Sequence, residues 1–331
     1  MEKIKQRTWI LVFGVILIFI IIISLFVGSA SISPKQLFSM IVNRENSKAL
    51  RIMLYVRIPR VFGAVFAGAG LAVSGSIIQS VLNNSLAGPN IIGVNAGAGF
   101  AIVLFSSIFP YSISALPFVA FIGALITVLL VYYMARKTGV SKITLVLAGI
   151  AINSLLNAAS DAVITFVPDA LVNSYAFRIG GLSGVNSKVL IPACICIGIS
   201  ILVAICLHNE MDVLSLGEDT SKSLGLPVGW YRFLLLLLAA MLAGASVSFA
   251  GLLGFVGLII PHISRHFVGS EGKYLLPTSA LLGASFLTFC DLIARKLFAP
   301  YEISVGIILS FLGAPFFLYL LIRKRGKGFH D

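Results

Sequence analysis

Long hydrophobic runs separated by short polar intervals dominate the chain. A membrane-spanning helix needs about 20 mostly apolar residues, and ten segments of about this length occur here. They are predicted at 8–28, 61–82, 91–109, 115–135, 143–167, 189–207, 232–250, 251–268, 275–296 and 303–322. Between the seventh and eighth spans there is no polar loop, only the interruptions at Gly251, Gly254 and Gly257. The pattern predicts an all-α polytopic membrane protein, with residues 1–331 forming a single transmembrane domain.

The composition agrees with this class. Hydrophobic residues make up 59% of the chain and charged residues 11%, whereas about a quarter of the residues of a soluble domain are charged. The net charge of +12 then reflects membrane topology rather than nucleic-acid binding. The four cysteines lie inside apolar runs without Cys-x-x-Cys spacing, so we predict no metal site. The first apolar run exceeds the usual core of a signal peptide, which indicates an uncleaved first helix.

One of the few long polar intervals is His208–Arg232. Residues 212–224 within it are predicted to form one short amphipathic helix, which Gly225 and Pro227 end. The face of this helix would carry Val213, Leu216 and Leu224. A short surface helix between two membrane spans has little capacity for catalysis, but another protein can push it. We therefore interpret the interval as a coupling loop.

The distribution of Lys and Arg orients the spans. Fourteen fall on the side of the coupling loop and ten on the other, so the positive-inside rule places this loop and both termini in the cytoplasm. Six of the ten outer cations crowd the segment between spans one and two: Lys35, Arg44, Lys48, Arg51, Arg57 and Arg60. This excess predicts an electropositive outer face for an acidic partner or anionic ligand. The alternative is a short loop that contributes little to topology.

Polar and small residues recur within the spans. Gly63, Gly68, Gly70 and Gly75 in span two predict close approach of neighbouring helices. Asn153, Asn157 and Asp161 follow one another at intervals of four, which places them on one helix face. This stripe either lines a transport pathway or makes hydrogen bonds between helices, and Asp161 could also be hydrated at the outer end.

Two further polar pairs have simpler interpretations. Asp291 and Arg295 are four residues apart, which predicts an ion pair within one helix. Pro261 and His262 end a glycine-rich apolar run, and a single histidine there favours a structural role over metal binding.

Several nucleotide-binding and catalytic motifs are absent from the sequence. It contains no G-x-x-x-x-G-K-[ST], H-E-x-x-H or G-x-S-x-G pattern, so we expect no enzyme activity from this chain. If ATP powers transport, a separate chain must bind it. The competing hypothesis is a secondary transporter driven by an ion gradient, with Asp161 as the coupling site.

Several stretches resemble the FecCD-type permeases, which are transmembrane subunits of ABC importers for iron–siderophores, haem and cobalamin. The resemblance covers about residues 50 to 322. It rests on the following stretches: Arg57-Ile-Pro-Arg60, Gln79, Leu86-Ala-Gly-Pro89, Gly93-Val94, Leu216–Gly225, Phe249–Arg265, Asp291–Arg295, Val305-Gly306 and Gly313–Phe316. Two turns depart from the family pattern. Asn83–Pro89 lacks an arginine, a proline and an acid of the usual motif, and Ile303–Gly306 replaces Leu-Pro-Val-Gly.

The resemblance implies a type II ABC importer permease fold with ten helices. It also implies a permease dimer, two cytoplasmic ATPase subunits that bind ATP and Mg, and an external substrate-binding protein. The expected cargo is a ferric siderophore, and we expect no cofactor on this chain. The second permease is either a copy of this chain or a related one.

The resemblance also implies roles for particular residues. The binding protein would dock on Arg57, Arg60 and Arg295. The ATPase would dock on Leu216, Gly217, Glu218, Asp219, Ser223, Leu224 and Gly225. Together with the asparagine stripe, the motifs give a set of residues expected to line the pathway or pack helices: Gln79, Asn153, Asn157, Asp161, Gly251, Gly254, Gly257, Pro261 and His262.

Overall fold

All regular secondary structure in the described part of the chain is helical. The computed structural model describes residues 2–27, 48–137, 142–299 and 301–325. The α-helices of these ranges are α1 (Glu2–Phe26), α2 (Lys48–Ile52), α3 (Ile58–Leu82), α4 (Val94–Ile108), α5 (Leu116–Lys137), α6 (Lys142–Phe166), α7 (Asp169–Ile179), α8 (Ser187–Cys206), α9 (His208–Ser215), α10 (Glu218–Ser223), α11 (Val228–Ala250), α12 (Val256–Val268), α13 (Gly272–Lys296) and α14 (Val305–Arg325). A π-helical turn, Met53–Arg57, joins α2 to α3.

Each of the ten predicted spans corresponds to one of these helices, and every predicted C-terminal end lies within three residues of the observed one. Within the described ranges, seven helical segments are long and apolar enough to cross a membrane, and α4 and α14 contribute shorter apolar helices. Hydropathy therefore locates the helices along the chain. The largest errors are at helix starts, six residues at α1 and five at α12.

Helix α3 lies at the centre of the bundle, and most of its residues are buried. It packs against α13, α11, α12 and α8. A Cβ atom at Gly68 would lie 2.2 Å from the carbonyl oxygen of Gly283, and one at Gly75 would lie 1.8 Å from that of Gly257. The predicted close approach at these glycines is thus confirmed, because the backbone of α3 meets the backbone of α13 at Gly68 and that of α12 at Gly75.

The predicted span 251–268 is only partly helical, because residues 251–255 form an irregular segment before α12. Gly251 and Phe255 both have positive φ, +73° and +65°, which the α-helix excludes. The 13 residues of α12 rise only about 20 Å, less than the hydrocarbon core of a bilayer. The sequence-based span was too long because an apolar irregular segment has the hydropathy of a helix.

Helix α7 was not predicted. It follows Pro168, carries Asp169 in its first turn and ends at Gly180, which has a φ of +73°. A hydropathy search for membrane spans does not detect α7, because it has only 11 residues and is moderately polar.

The single helix predicted at 212–224 is also wrong. The structure has two short helices, α9 and α10, separated by Leu216 and Gly217. Gly217 has a φ of +109°, a conformation that only glycine adopts readily, so the chain turns there.

Candidate functional site

The coupling loop is fixed to the bundle at α9. The backbone N–H of Gly272 donates to both carboxylate oxygens of Asp212, at 2.8 and 3.0 Å. Asp212 thus caps the first turn of α13, where N–H groups lack partners within the helix. Burial raises the pKa of the Asp212 carboxyl, and the bond from Gly272 opposes that shift. The side chain of Met211 is fully buried beside this contact. A displacement of α9 therefore acts directly on α13.

Helix α10 is fixed to α11 by an ion pair. The Glu218 carboxylate lies 3.1 Å from Nη2 of Arg232 and 2.8 Å from Nζ of Lys222. The hydroxyl of Ser221 donates to the carbonyl oxygen of Val213 at 2.8 Å, which ties α10 back to α9. The two short helices therefore form one unit with attachments to α11 and α13.

Two leucines of this unit point away from the bundle. Leu216 is 60% exposed and Leu224 is 63% exposed, one on each side of α10. They flank α10, whose own residues are all polar. Exposed apolar side chains beside charged ones are the usual composition of a protein docking surface.

Acidification is expected to loosen α10 from α11. Lys222 first, and Arg232 second, hold the pKa of Glu218 below its ordinary value of 4.5. A carboxyl with a lowered folded pKa stabilises the fold above its unfolded pKa, and that contribution is lost as pH falls through the folded pKa. Amide-exchange protection of residues 217–225 should therefore be constant near neutral pH and decrease below the ordinary pKa. Glu218→Gln should lack this decrease, and an equal decrease in that variant would contradict the assignment.

The opposite end of the bundle contains a buried ion cluster centred on Asp291. Nε of Arg60 lies 3.0 and 3.2 Å from the two oxygens of Asp291, and Nε of Arg295 lies 3.1 Å from one of them. The predicted pair within α13 is thus confirmed, but Arg60 of α3 is a second partner. Nη1 of Arg60 also contacts Glu302 at 2.6 Å. Asp291 has no solvent exposure, whereas the side chain of Glu302 is 32% exposed.

The cluster also holds the end of α1. Arg57 donates to the carbonyl oxygens of Leu25 and Phe26 at 2.9 and 3.0 Å, and Arg295 donates to the carbonyl of Ser24 at 3.3 Å and to its hydroxyl. The last carbonyls of a helix lack internal partners and carry partial negative charge, which the guanidinium groups neutralise.

Arg57, Arg60 and Arg295 are therefore internal contacts rather than free surface cations, with relative exposures of 4%, 6% and 3%. The expectation of an exposed positive face is wrong for these three. Apart from the predicted Asp291–Arg295 pair, their acidic and carbonyl partners come from distant parts of the chain, so sequence spacing gave no sign of them. Lys35 and Arg44 lie outside the described residues.

A polar cavity of about 280 Å³ lies between α4, α6, α7 and the segment that follows α11. Its polar lining consists of Asn90, Asn95, Asn153, Asn157, Ser160 and Arg178. Asp161, the third residue of the predicted stripe, is exposed and does not line this cavity. A helix turns about 100° per residue, so eight residues rotate Asp161 about 80° away from Asn153.

Comparison with known proteins identifies the chain. Residues 16–323 match the model of the FecCD transport family. The chain belongs to this family. It is a membrane transport permease and not an enzyme, as the sequence predicted.

Individual relatives of this FecCD protein agree over nearly their full lengths. The Fe(3+)-citrate import system permease protein YfmE of Bacillus subtilis is 37% identical, with 96% of each chain covered. The iron(3+)-hydroxamate import system permease protein FhuG of the same organism is 34% identical over 98% of this chain and all of the relative. The hemin transport system permease protein HmuU of Yersinia pestis is 36% identical over 95% and 96%.

A solved structure has the same architecture as this FecCD chain. An inward-facing metal-chelate type ABC transporter superposes with a TM-score of 0.85 at 28% identity, covering 96% of this chain and 99% of the other. The predicted permease fold is thereby confirmed. These relatives do not favour the ion-gradient alternative.

Among the remaining predicted residues of this FecCD protein, Gln79 makes hydrogen bonds between helices. The side-chain nitrogen of Gln79 lies 3.4 and 3.3 Å from the carbonyl oxygens of Gly257 and Leu258, and its oxygen accepts from Arg265. Gln79 thus joins the end of α3 to α12. Pro261 is buried inside α12, which continues through His262 to Val268, the predicted end of that span. No other residue comes within 4 Å of a Cβ placed on Gly254.

The glycines of the last FecCD motifs also have a structural reason. A Cβ at Gly306 would lie 2.0 Å from the carbonyl oxygen of Ile179, and one at Gly313 would lie 2.2 Å from the ring of Phe255. Helix α14 therefore packs directly on the end of α7 and on the irregular segment before α12. In the described parts of the chain, no group of three or more His, Cys, Asp or Glu side chains could hold a metal ion.

Proposed function

We propose that this chain is the transmembrane permease subunit of a binding-protein-dependent ABC importer that takes up a ferric siderophore or a related iron complex. ATP and Mg bind to separate ATPase subunits. The observation that carries the proposal is the α9–α10 unit, which presents Leu216 and Leu224 to a partner and is fixed to two spans. Membership of the FecCD family and relatives named for iron and hemin import support the cargo class.

The contacts suggest how the nucleotide cycle reaches the pathway. An ATPase that moves α10 would pull α11 through the Glu218–Arg232 pair and α13 through the cap that Asp212 provides. Both helices pack on α3. In this proposal the coupling end and both termini face the cytoplasm, as the excess of Lys and Arg favours.

The opposite end would receive the binding protein. The family resemblance assigns docking to Arg57, Arg60 and Arg295, and their burial suggests how they contribute. We propose that they hold the ends of α1, α3 and α13 in the arrangement that the binding protein meets. Glu302 is the more exposed carboxylate of the two that pair with Arg60.

The class is tested by isolating the tagged protein from its host in mild detergent and identifying what accompanies it. We expect a stoichiometric ATPase and a second permease, whose identity distinguishes a homodimer from a heterodimer. Uptake of ⁵⁵Fe complexes by cells with and without the gene tests the cargo. A protein that emerges alone under several gentle conditions would contradict the proposal.

Replacing Leu216 and Leu224 together by Asp is expected to reduce the co-isolated ATPase by about tenfold or more. Each exposed leucine that becomes buried on docking contributes about 1.5–3 kcal/mol, and every 1.4 kcal/mol is a factor of ten. The matched control is Leu297→Asp, because Leu297 is 61% exposed at the other end of the bundle. Equal loss of ATPase in the control would show that these substitutions act through general instability.

A further inference from the structure

The cavity beside α6 has an unusual balance of polar groups. Its polar lining is four asparagines, one serine and one arginine, beside five apolar residues, and no acidic residue is among its described lining. A cavity that only separated packed helices would be apolar or would satisfy its own polar atoms. This cavity has a largely polar lining, and two of its polar atoms have no hydrogen-bond partner.

Two amide oxygens of the cavity lack partners. Oδ1 of Asn95 and Oδ1 of Asn153 are buried and accept no hydrogen bond. Their orientation is set by the nitrogen side of each amide, since Nδ2 of Asn153 donates to the carbonyl oxygen of Asn90 at 2.8 Å and Nδ2 of Asn95 donates to that of Leu253 at 3.5 Å. An unsatisfied buried acceptor is costly, so these amides are stabilised if their side chains turn to meet a donor inside the cavity.

Arg178 is the cation of the described lining, and backbone hydrogen bonds fix the chain on either side of it. Arg178 lies in the last turn of α7, where the N–H of Leu252 donates to the carbonyl of Phe177 at 3.0 Å and the N–H of Gly181 donates to that of Ala250 at 2.8 Å. Its side chain is exposed, and no ion pair to it occurs within the described ranges. A cation at a helix C-terminus is favourable by itself, but that does not account for the two unsatisfied amide oxygens.

We propose that this cavity contacts the cargo and selects an anionic ferric complex that also carries hydroxyl or N–H donors. Arg178 pairs with the anionic oxygen, and the amides of Asn95 and Asn153 turn so that their oxygens accept from the donors. The inference rests on the proposed function and adds the charge class of its cargo. At about 280 Å³ the cavity lies just below the usual range for ligand pockets, so it holds one edge of a complex rather than the whole.

Charge-selective uptake tests the proposal in cells that lack the chromosomal gene and express this chain with its native partners. The probes are ⁵⁵Fe-citrate, which is anionic, and a ⁵⁵Fe-trihydroxamate made cationic by a free amine. We expect wild-type cells to favour the anionic probe. Arg178→Gln should lower its uptake about tenfold, the effect of losing one charge-assisted hydrogen bond worth about 1.4 kcal/mol. Arg178→Lys should recover part of the uptake.

Two further variants separate local charge from instability. Arg7→Gln removes one exposed arginine of α1, far in sequence from Arg178, and should leave uptake unchanged. Asn157→Asp is nearly isosteric and places a carboxylate in the cavity, so it should also lower uptake of the anionic probe. Membrane abundance and co-isolated ATPase are measured for each variant.

The outcomes are distinct. Anionic uptake that decreases in Arg178→Gln and Asn157→Asp but not in Arg7→Gln supports the proposal. Unchanged uptake in both cavity variants, or wild-type uptake of the cationic probe alone, overturns it and leaves the permease function standing. If wild-type cells took up neither probe nor any other ferric complex, the proposed function would fail and this inference with it.

Discussion

Replacing Gly75 by Ala is expected to force α3 away from α12 and to remove most of the stably folded protein. The new Cβ would lie 1.8 Å from the carbonyl oxygen of Gly257, and neither backbone can move without displacing a whole helix. Overpacking a tight core typically costs about 1–3 kcal/mol, and contact with backbone belongs at the upper end of that range. The measurements are the yield of monodisperse protein in detergent and the midpoint of thermal unfolding.

Gly198→Ala provides the matched control. Gly198 lies within α8, and nothing comes within 4 Å of a Cβ built on it. Alanine is favoured over glycine inside a helix by about 1 kcal/mol, so this variant should be as stable as the original protein or more so. If Gly75→Ala unfolded at the same temperature as Gly198→Ala, the close approach of α3 and α12 would be wrong.

The sequence predicted the features that depend on local hydropathy and residue size. Ten apolar runs gave ten helices, and the small residues of α3 correctly indicated close contacts. The errors occur where an apolar segment is not a regular helix, as at residues 251–255, or where one glycine reverses the chain, as at Gly217. Hydropathy does not distinguish these cases, because the conformation depends on φ at single residues such as Phe255.

The site residues were harder to predict because their partners are distant in sequence. Arg60 and Asp291 are separated by 231 positions, and their contact depends on the packing of α3 against α13. The positive charge of the segment between the first two spans was therefore visible, but the burial of Arg57 and Arg60 was not. Arg178 was missed for another reason. It lies on a short helix that the search for spans did not detect, although its cavity partners Asn153 and Asn157 were singled out.

Helix α13 connects the two ends of the molecule. Its first turn is capped by Asp212 of the coupling loop, and its last turns carry Asp291 and Arg295 of the ion cluster. A rigid helix fixed at both ends transmits displacement along its axis, so events at the coupling loop and at the cluster need not be independent. This connection makes Asp291 the position where one substitution should have the largest effect.

Replacing Asp291 by Leu is expected to destabilise the protein by about 3–5 kcal/mol, the usual cost of breaking a buried ion pair from one side. Arg60 and Arg295 would lose the carboxylate that both contact, in a place where water cannot replace it. The measurement is the thermal unfolding midpoint in mild detergent, together with docking of the binding protein. Docking should weaken because the ends of α1, α3 and α13 are no longer held together.

Two further variants show whether burial causes the effect. Glu302→Gln removes the partly exposed carboxylate that also contacts Arg60, and it should cost only about 0–1 kcal/mol, as exposed pairs do. Combining Asp291→Leu with Arg60→Met removes one of the two guanidinium groups that Asp291→Leu leaves without its carboxylate. The double variant should therefore recover part of the lost stability, although Arg295 still lacks its partner. If the double variant were as unstable as the sum of its single variants, Arg60 and Asp291 would not be energetically coupled. The cluster would then stabilise this end through packing rather than through charge.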